Sequence, residues 1–213
     1  MKTYEKLTKT PPNRESLVFV TGNAAKFAEA QKVAQHYNVT LQRQALDIIE
    51  IQSNNPVAVS QAKAKSAYQM INRPLITHDS SWSIPALNGF PGAYMHDIVR
   101  WFSSEDWLNL MRSHSNKIIE VCENVTYYDD KGFKCFQYRQ QGTFVDTPRG
   151  ENGNSLEKVV ILSGDQTIAE HHDAGIENNS VVLKVWEDFF RWYTENVSVP
   201  NKNTFCNTPQ KIS

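Results

Sequence analysis

Residues 17–26 read Leu-Val-Phe-Val-Thr-Gly-Asn-Ala-Ala-Lys, and this stretch decides the fold. Its first four residues form a short apolar run, which predicts a β-strand from Leu17 to Val20. The Thr-Gly-Asn sequence then predicts a tight turn, and the stretch from Ala24 to His36 predicts a helix. A strand, a turn and a helix in this order are typical of an α/β domain.

The next segments continue this pattern. A second strand is predicted around Leu41 to Ile51, and Asn55-Pro56 supplies a cap and a first-turn proline for a helix at Val57–Ile71. Residues Pro74–Thr77 predict a short buried strand that stops at His78. Because ligands bind at the ends of strands in open α/β sheets, we expect the polar residues that follow this strand to face a site.

The C-terminal half begins with a β-rich pattern. Residues 118–128 and 133–145 predict the strands of a long hairpin that turns at Asp129–Gly132. Apolar and aromatic residues at helical spacing predict a core-facing helix at 181–195. We therefore predict an α/β fold with a central, mixed, elongated β-sheet flanked by helices, and two lobes with an active-site cleft between them.

Length and composition set the domain limits. A chain of 213 residues is long enough for one large domain. The helical and β segments mix without a polar linker, which favours a single α/β domain at 15–195. We predict a polar N-terminal extension at 1–14 and a polar, disordered tail at 196–213, because neither has much to bury.

The charge balance excludes several kinds of partner. The 22 basic and 23 acidic side chains leave a formal net charge of −1, so the chain lacks the excess typical of nucleic-acid or membrane binding. No run approaches the roughly 18 apolar residues of a membrane span. Three widely spaced cysteines argue against a disulfide framework or a zinc knuckle. We expect a cytoplasmic protein with no nucleic-acid or membrane partner, which meets any phosphate through a local site.

Two segments carry residue types suited to phosphate and metal chemistry. In the Thr21–Lys26 hexad, glycine permits close approach of a ligand and the lysine adds charge, although an ordinary turn before a helix explains the hexad equally simply. The Asp79 carboxylate can bind a hard cation or hold a water, or it can serve as a turn residue. Glu50 is placed so that it could share one Mg²⁺ with Asp79. His78 is either a base or a buried, hydrogen-bonded histidine.

Taken in order, four motifs resemble those of the inosine triphosphate pyrophosphatase family, cytosolic enzymes that clear deaminated purine nucleotides. The resemblance runs from Leu17 to Tyr193. The motifs are Thr21-Gly22-Asn23-Ala24-Ala25-Lys26 for the family's Thr-Gly-Asn-x-x-Lys, His78-Asp79-Ser80 for its acid-Asp-Ser/Thr, Gly89-Phe90-Pro91-Gly92-Ala93-Tyr94 for its Gly-x-Pro-Gly-x-Tyr, and Gly142 through Pro148-Arg149-Gly150 for the loop after its hairpin.

The resemblance implies hydrolysis of a nucleoside triphosphate to the monophosphate and pyrophosphate with Mg²⁺, or alternatively Mn²⁺, by a homodimer. The triphosphate would be held by Thr21, Gly22, Asn23 and Lys26. Glu50 and Asp79 would ligate the metal, Asp79 would also activate the attacking water, and Ser80 would touch the substrate. The family's lysine sixteen residues before the aspartate corresponds to Lys63, with Lys65 as the alternative.

The departures from the family lie at its base-reading segments. An aromatic-Gly-aromatic-Asp-Pro run corresponds here to Asn154–Lys158, which keeps one acid, Glu157. The later Lys and Ser-His-Arg correspond to Asn178 and to Val182-Leu183-Lys184, so Lys184 is the remaining candidate for base contact. We therefore predict altered or broadened base preference. The alternative is a nucleotide-binding regulatory or interaction protein of the same fold without effective turnover.

Overall fold

The computed structural model describes residues 16–49, 51, 53, 55–92, 94–176 and 180–197, and for residues 180 and 181 it describes the backbone alone. The predicted extension at 1–14 and most of the predicted tail at 196–213 lie outside this range. So do Glu50, a predicted metal ligand, and Asn178, the position that corresponds to the family's later lysine.

The described residues form a mixed seven-stranded sheet, which confirms the predicted α/β class. Its order is β2-β1-β3-β5-β6-β7, with β4 paired to β3. Strand β1 runs parallel to β2 and β3, whereas the other pairs are antiparallel. The strands are β1 Leu17–Val20, β2 Leu41–Gln44, β3 Leu75–Ile84, β4 Phe90–Gly92, β5 Ile118–Asp129, β6 Gly132–Phe144 and β7 Val160–Ile161.

Several helices begin at a residue whose side chain caps them. Asn55 accepts hydrogen bonds from the amides of Val57 and Ala58 at the start of one helix, and Ser103 forms a capping box with Asp106 at the start of another. These caps satisfy amides that have no partner within the helix. The helices are α1 Ala24–His36, α2 Pro56–Ile71, α3 Met95–Trp101, α4 Ser104–Met111, α5 Ile168–Asp173 and α6 Ser180–Asn196, with a 3₁₀ turn at Pro85–Leu87. None of the described helices is long and apolar enough to cross a membrane.

The core divides along the two faces of the sheet and along its length. Leu17 and Phe19 of β1 pack with α1 and α6 on one face, whereas Val18 and Val20 pack with α2 on the other, as strand alternation requires. A separate cluster surrounds Trp107 at the far end of the long strands. The elongated sheet therefore carries two packed regions, in agreement with the predicted lobes.

Two strand predictions were wrong. Strand β2 ends at Gln44, well before Ile51. Strand β3 does not stop at His78 but continues to Ile84, because β5 pairs with it through this polar segment. His78, Asp79 and Ser80 therefore lie inside a strand, and their side chains alternate between the two faces of the sheet.

Candidate functional site

A cavity of about 420 Å³ lies where β1 and β3 meet the first turns of α1 and α2. It is large enough for part of a nucleotide-sized ligand. The structure brings together most of the residues that the sequence predicted for a phosphate and metal site. Those in the cavity wall are Thr21, Gly22, Asn23, Lys26, Lys63, Asp79 and Ser80.

The turn between β1 and α1 is organised by two of its own side chains. Thr21 Oγ1 accepts a hydrogen bond from the Asn23 amide at 3.1 Å. Asn23 Oδ1 accepts from the amides of Ala25 and Lys26, at 2.9 and 3.2 Å. These amides of the first helical turn are thus occupied by the cap. The amides of Gly22 and Ala24 take no part in these bonds, and they are the donors that an incoming anion could use.

Lys63 and Asp79 form an ion pair at the wall of the cavity. The Lys63 Nζ lies 2.5 Å from Asp79 Oδ1, and the two side chains are 19% and 20% exposed. The other carboxylate oxygen, Asp79 Oδ2, is buried and has no hydrogen-bond partner among the described residues. Lys65, the alternative to Lys63, is exposed on the surface of α2.

A second polar group lies on the opposite face of β3. Ser80 Oγ donates a hydrogen bond to Glu123 Oε2 at 2.6 Å and accepts one from Lys26 Nζ at 3.3 Å. His78 Nε2 lies 2.8 Å from the same Glu123 oxygen, an approach too oblique for an aligned hydrogen bond. The His78 ring also packs on Trp186, with ring centroids 5.2 Å apart.

The charges of this group follow from its burial. Desolvation lowers the pKa of His78, the Lys26 charge lowers it further, and Glu123 only partly offsets these effects. Burial alone would raise the pKa of Glu123, but contacts with His78, Lys26 and Ser80 bring that pKa below its usual value. Near neutral pH the His78 ring is therefore uncharged, and the Glu123 carboxylate is ionised beside the Lys26 ammonium.

The donor set fits a hard cation held by few protein ligands. Asp79 lines the cavity, and its Oδ2 is a carboxylate oxygen without a partner among the residues that the structure describes. Within the described ranges, no group of three or more His, Cys, Asp or Glu residues could hold a metal. Mg²⁺ commonly takes one or two protein carboxylates and completes its shell with water and substrate phosphates. Asp79, with Glu50 as the second predicted ligand, matches that pattern, whereas a site built only from protein ligands does not.

The two residues predicted for base contact lie elsewhere. Glu157 Oε2 accepts a hydrogen bond from the Asn154 amide at 2.7 Å, inside a loop. The Lys184 Nζ lies 5.3 Å from the ring centroid of Tyr138. Neither is in the wall of the 420 Å³ cavity. Their assignment to base contact stays a prediction.

Sequence reasoning missed Glu123 and Asn124. Both belong to β5, and the β3–β5 register places Glu123 opposite Ser80 and Asn124 opposite Asp79. Both side chains are buried. Charged residues are rarely buried without a partner, so a glutamate within an apolar strand was the available signal. Its partner could not be read from the sequence, because the register between distant strands is set by tertiary packing.

The glycine turn, the two lysines and the carboxylate that meet at this cavity are features typical of α/β proteins that bind phosphate. The particular family follows from comparison with known proteins. The Ham1 family model matches residues 17–183, and the chain belongs to the Ham1 family.

Curated relatives and solved structures agree with this assignment. The dITP/XTP pyrophosphatase of Methanopyrus kandleri is 31% identical over 187 residues, which cover 85% of this chain and 98% of the relative. The inosine triphosphate pyrophosphatase of Yarrowia lipolytica is 33% identical over 162 residues, covering 73% and 83%. A Ham1 protein structure from Coxiella burnetii superposes with a TM-score of 0.72 at 20% identity, covering 84% of this chain and 98% of that one. The resemblance stated from the four motifs is confirmed.

Proposed function

We propose that this protein is a Mg²⁺-dependent nucleoside triphosphate pyrophosphatase, which releases a nucleoside monophosphate and pyrophosphate. The observation that carries the proposal is the Lys63–Asp79 pair beside the glycine turn in the wall of the 420 Å³ cavity, with Asp79 Oδ2 unpartnered among the described residues. Family membership supports it, since relatives of this chain are named dITP/XTP and inosine triphosphate pyrophosphatases.

Two lysines and the turn would bind the polyphosphate. Lys26 and Lys63 reach the cavity from α1 and α2, on different faces of the sheet. Their ammonium groups would neutralise charge on phosphate oxygens, and the free amides of the turn would add hydrogen bonds. Positive charge concentrated at this cavity suits a substrate with several negative charges, although the whole chain carries a formal net charge of only −1.

Asp79 would position the attacking water and take its proton. A bond forms between the water oxygen and the α phosphorus, and the bond between that phosphorus and the α–β bridging oxygen breaks, so that pyrophosphate leaves. Bound Mg²⁺, held by Asp79 with Glu50 as the second predicted ligand, would supply charge neutralisation at the phosphate oxygens. The Lys63 contact would fix the carboxylate through Oδ1, and Oδ2, which has no partner among the described residues, would be the oxygen left for the water or the cation.

We propose altered or broadened base preference. The support is that residues 154–157 make contacts that stabilise the fold. Asn154 Oδ1 accepts from the amides of Leu156 and Glu157, and Ser155 Oγ accepts from Trp107 Nε1 at 3.1 Å. The Leu156 side chain is fully buried in the core. These side chains serve the fold, so the donors and rings with which the family reads the base are missing.

We also propose a cytoplasmic homodimer. The support is the family resemblance together with two exposed aromatic side chains, Trp101 at 72% and Tyr94 at 43%. Large exposed apolar side chains that lie near one another often mark contact surfaces. Light scattering on the purified chain tests the dimer, and a Trp101→Glu variant should shift the measured mass toward that of a monomer.

The activity is tested by pyrophosphate release from ribo-, deoxy- and deaminated nucleoside triphosphates with Mg²⁺ or Mn²⁺. We expect turnover that Asp79→Asn reduces by at least about 10³-fold, because that variant removes the proton acceptor. Asp130→Asn, in the exposed turn of the hairpin, is the matched control. Tight nucleotide binding without turnover would instead support the regulatory protein, an alternative favoured by His78 at the position of the family's first acid.

A further inference from the structure

A buried carboxylate lies directly behind the phosphate-binding cavity. Glu123 of β5 is 5% exposed, and its Oε2 accepts the 2.6 Å hydrogen bond from Ser80 Oγ. Ser80 Oγ accepts in turn from Lys26 Nζ at 3.3 Å. Lys26 and Ser80 lie in the cavity wall. The three side chains thus form a continuous chain from the interior of the sheet to the cavity.

The direction of these hydrogen bonds fixes what each group can do. A serine hydroxyl has one hydrogen and two lone pairs. Because Ser80 gives its hydrogen to Glu123, it has only lone pairs to offer on the cavity side, where the ammonium of Lys26 is the donor. Ser80 in this arrangement accepts from a lysine and does not donate to a phosphate.

The cost of burying the carboxylate points to a function. An ionised glutamate at this depth is expensive unless it is compensated. The compensation comes from the Ser80 hydrogen bond and from the charge of Lys26. Both of these partners line the cavity, so the carboxylate is coupled to it.

We propose that Glu123 is a positioning residue that acts through the Ser80 hydroxyl to hold the Lys26 ammonium at the cavity wall, where it meets the polyphosphate of the substrate. The inference rests on the proposed function, because it assigns Lys26 to a polyphosphate. Glu123 on β5 would thus supply a carboxylate beside His78, which stands at the position of the family's first acid.

Glu123 could affect polyphosphate binding by charge repulsion or by positioning Lys26, and the two effects predict opposite changes in affinity. A carboxylate near a polyphosphate repels it, so removal of its charge alone would tighten polyphosphate binding. If Glu123 instead holds Lys26 in place, removal of that charge frees the ammonium and weakens binding, because the lysine must then be ordered by the ligand. The sign of the change in affinity therefore distinguishes the two effects.

The experiment is calorimetric titration of the full chain with inorganic tripolyphosphate and Mg²⁺. We expect Glu123→Gln and Ser80→Ala each to raise the Kd about fivefold, and Ser80→Thr, which keeps a hydroxyl, to stay close to the wild type. Glu120→Gln is the matched control on the same strand, because Glu120 pairs with the half-exposed Arg139 at 2.7 Å. If Glu123→Gln does not fold, Ser80→Ala carries the comparison.

A double-mutant cycle tests whether Glu123 acts through Lys26. In a Lys26→Ala background, Glu123→Gln should change the Kd by less than about twofold. Unchanged or tighter binding by Glu123→Gln alone, or an equal loss in both backgrounds, would overturn the proposal. A wild-type chain that binds no tripolyphosphate would also overturn it. A chain that binds tripolyphosphate with this coupling but releases no pyrophosphate from nucleotides contradicts the proposed activity and leaves the Glu123 assignment standing.

Discussion

The Nζ atom of Lys63 lies 2.5 Å from Oδ1 of Asp79 and joins α2 to β3 at the wall of the cavity. The contact leaves Asp79 Oδ2 buried and without a hydrogen-bond partner among the described residues. One carboxylate oxygen is therefore fixed by a lysine, and no described group satisfies the other. Lys65 is two residues further along α2 and is exposed, so the two lysines form a natural pair for comparison.

We expect Lys63→Ala to lower kcat/KM for a nucleoside triphosphate by about 10²-fold or more. The variant loses a positive charge that would bind the phosphates, and it loses the contact that holds the Asp79 carboxylate in place. Lys65→Ala should change kcat/KM by less than about twofold, since an exposed charge on a solvated helix face is strongly screened. Steady-state pyrophosphate release measures both. Equal losses in the two variants would contradict the assignment of Lys63 to the site.

Gly22→Ala tests whether Gly22 is needed for the stability of the fold or for ligand binding. A Cβ at Gly22 would meet nothing within 4 Å, and its φ angle is not in the left-handed region. The free energy of unfolding should therefore change by no more than ~0.5 kcal/mol, as is typical of surface substitutions. Activity should nevertheless fall by about tenfold, because a methyl group would hinder close approach of a phosphate. Denaturant unfolding and pyrophosphate release test the two parts, and an active Gly22→Ala would show that no phosphate approaches this position.

The sequence predicted the local structure around this site well, because local signals determine it. Strand β1 and helix α1 have the predicted bounds, and the Asn23 and Asn55 caps lie where a short polar side chain precedes each helix. The four motifs alone were sufficient to identify the family. The resemblance to the family pointed to Lys63, with Lys65 as the alternative, and the structure pairs Lys63 with Asp79.

The features that the sequence did not predict depend on pairing between strands that are distant in the sequence. The end of β3 was misplaced because a polar segment looks like a loop until an antiparallel partner, here β5, satisfies its backbone. The place of Glu123 in the site could not be predicted for the same reason, because its neighbours Ser80 and His78 are more than forty residues away in the sequence. Register between distant strands decides which side chains share a face.

We expect Glu157→Gln to affect the fold more than base selectivity. Glu157 Oε2 accepts the Asn154 amide at 2.7 Å, and an amide side chain would replace this charge-assisted bond with a weaker one. The free energy of unfolding should drop by ~1 kcal/mol. The ratio of kcat/KM for inosine triphosphate to that for adenosine triphosphate should stay within about twofold. A large change in that ratio would mean that Glu157 contacts the base.

The thiols of Cys122 and Cys135 should be slow to react in the folded protein. Burial raises the pKa of both thiols, and nearby opposing interactions do not restore either one. Since the thiolate is the nucleophile, a raised pKa leaves a smaller reactive fraction at pH 8 than an ordinary cysteine has. In a Cys206→Ser variant these are the two remaining cysteines, so labelling by a thiol reagent reports on them alone. We expect labelling at least about tenfold slower than in the same variant unfolded in guanidinium chloride, and faster as the pH rises. Rapid labelling of the folded chain at pH 8 would contradict the raised pKa of the two thiols.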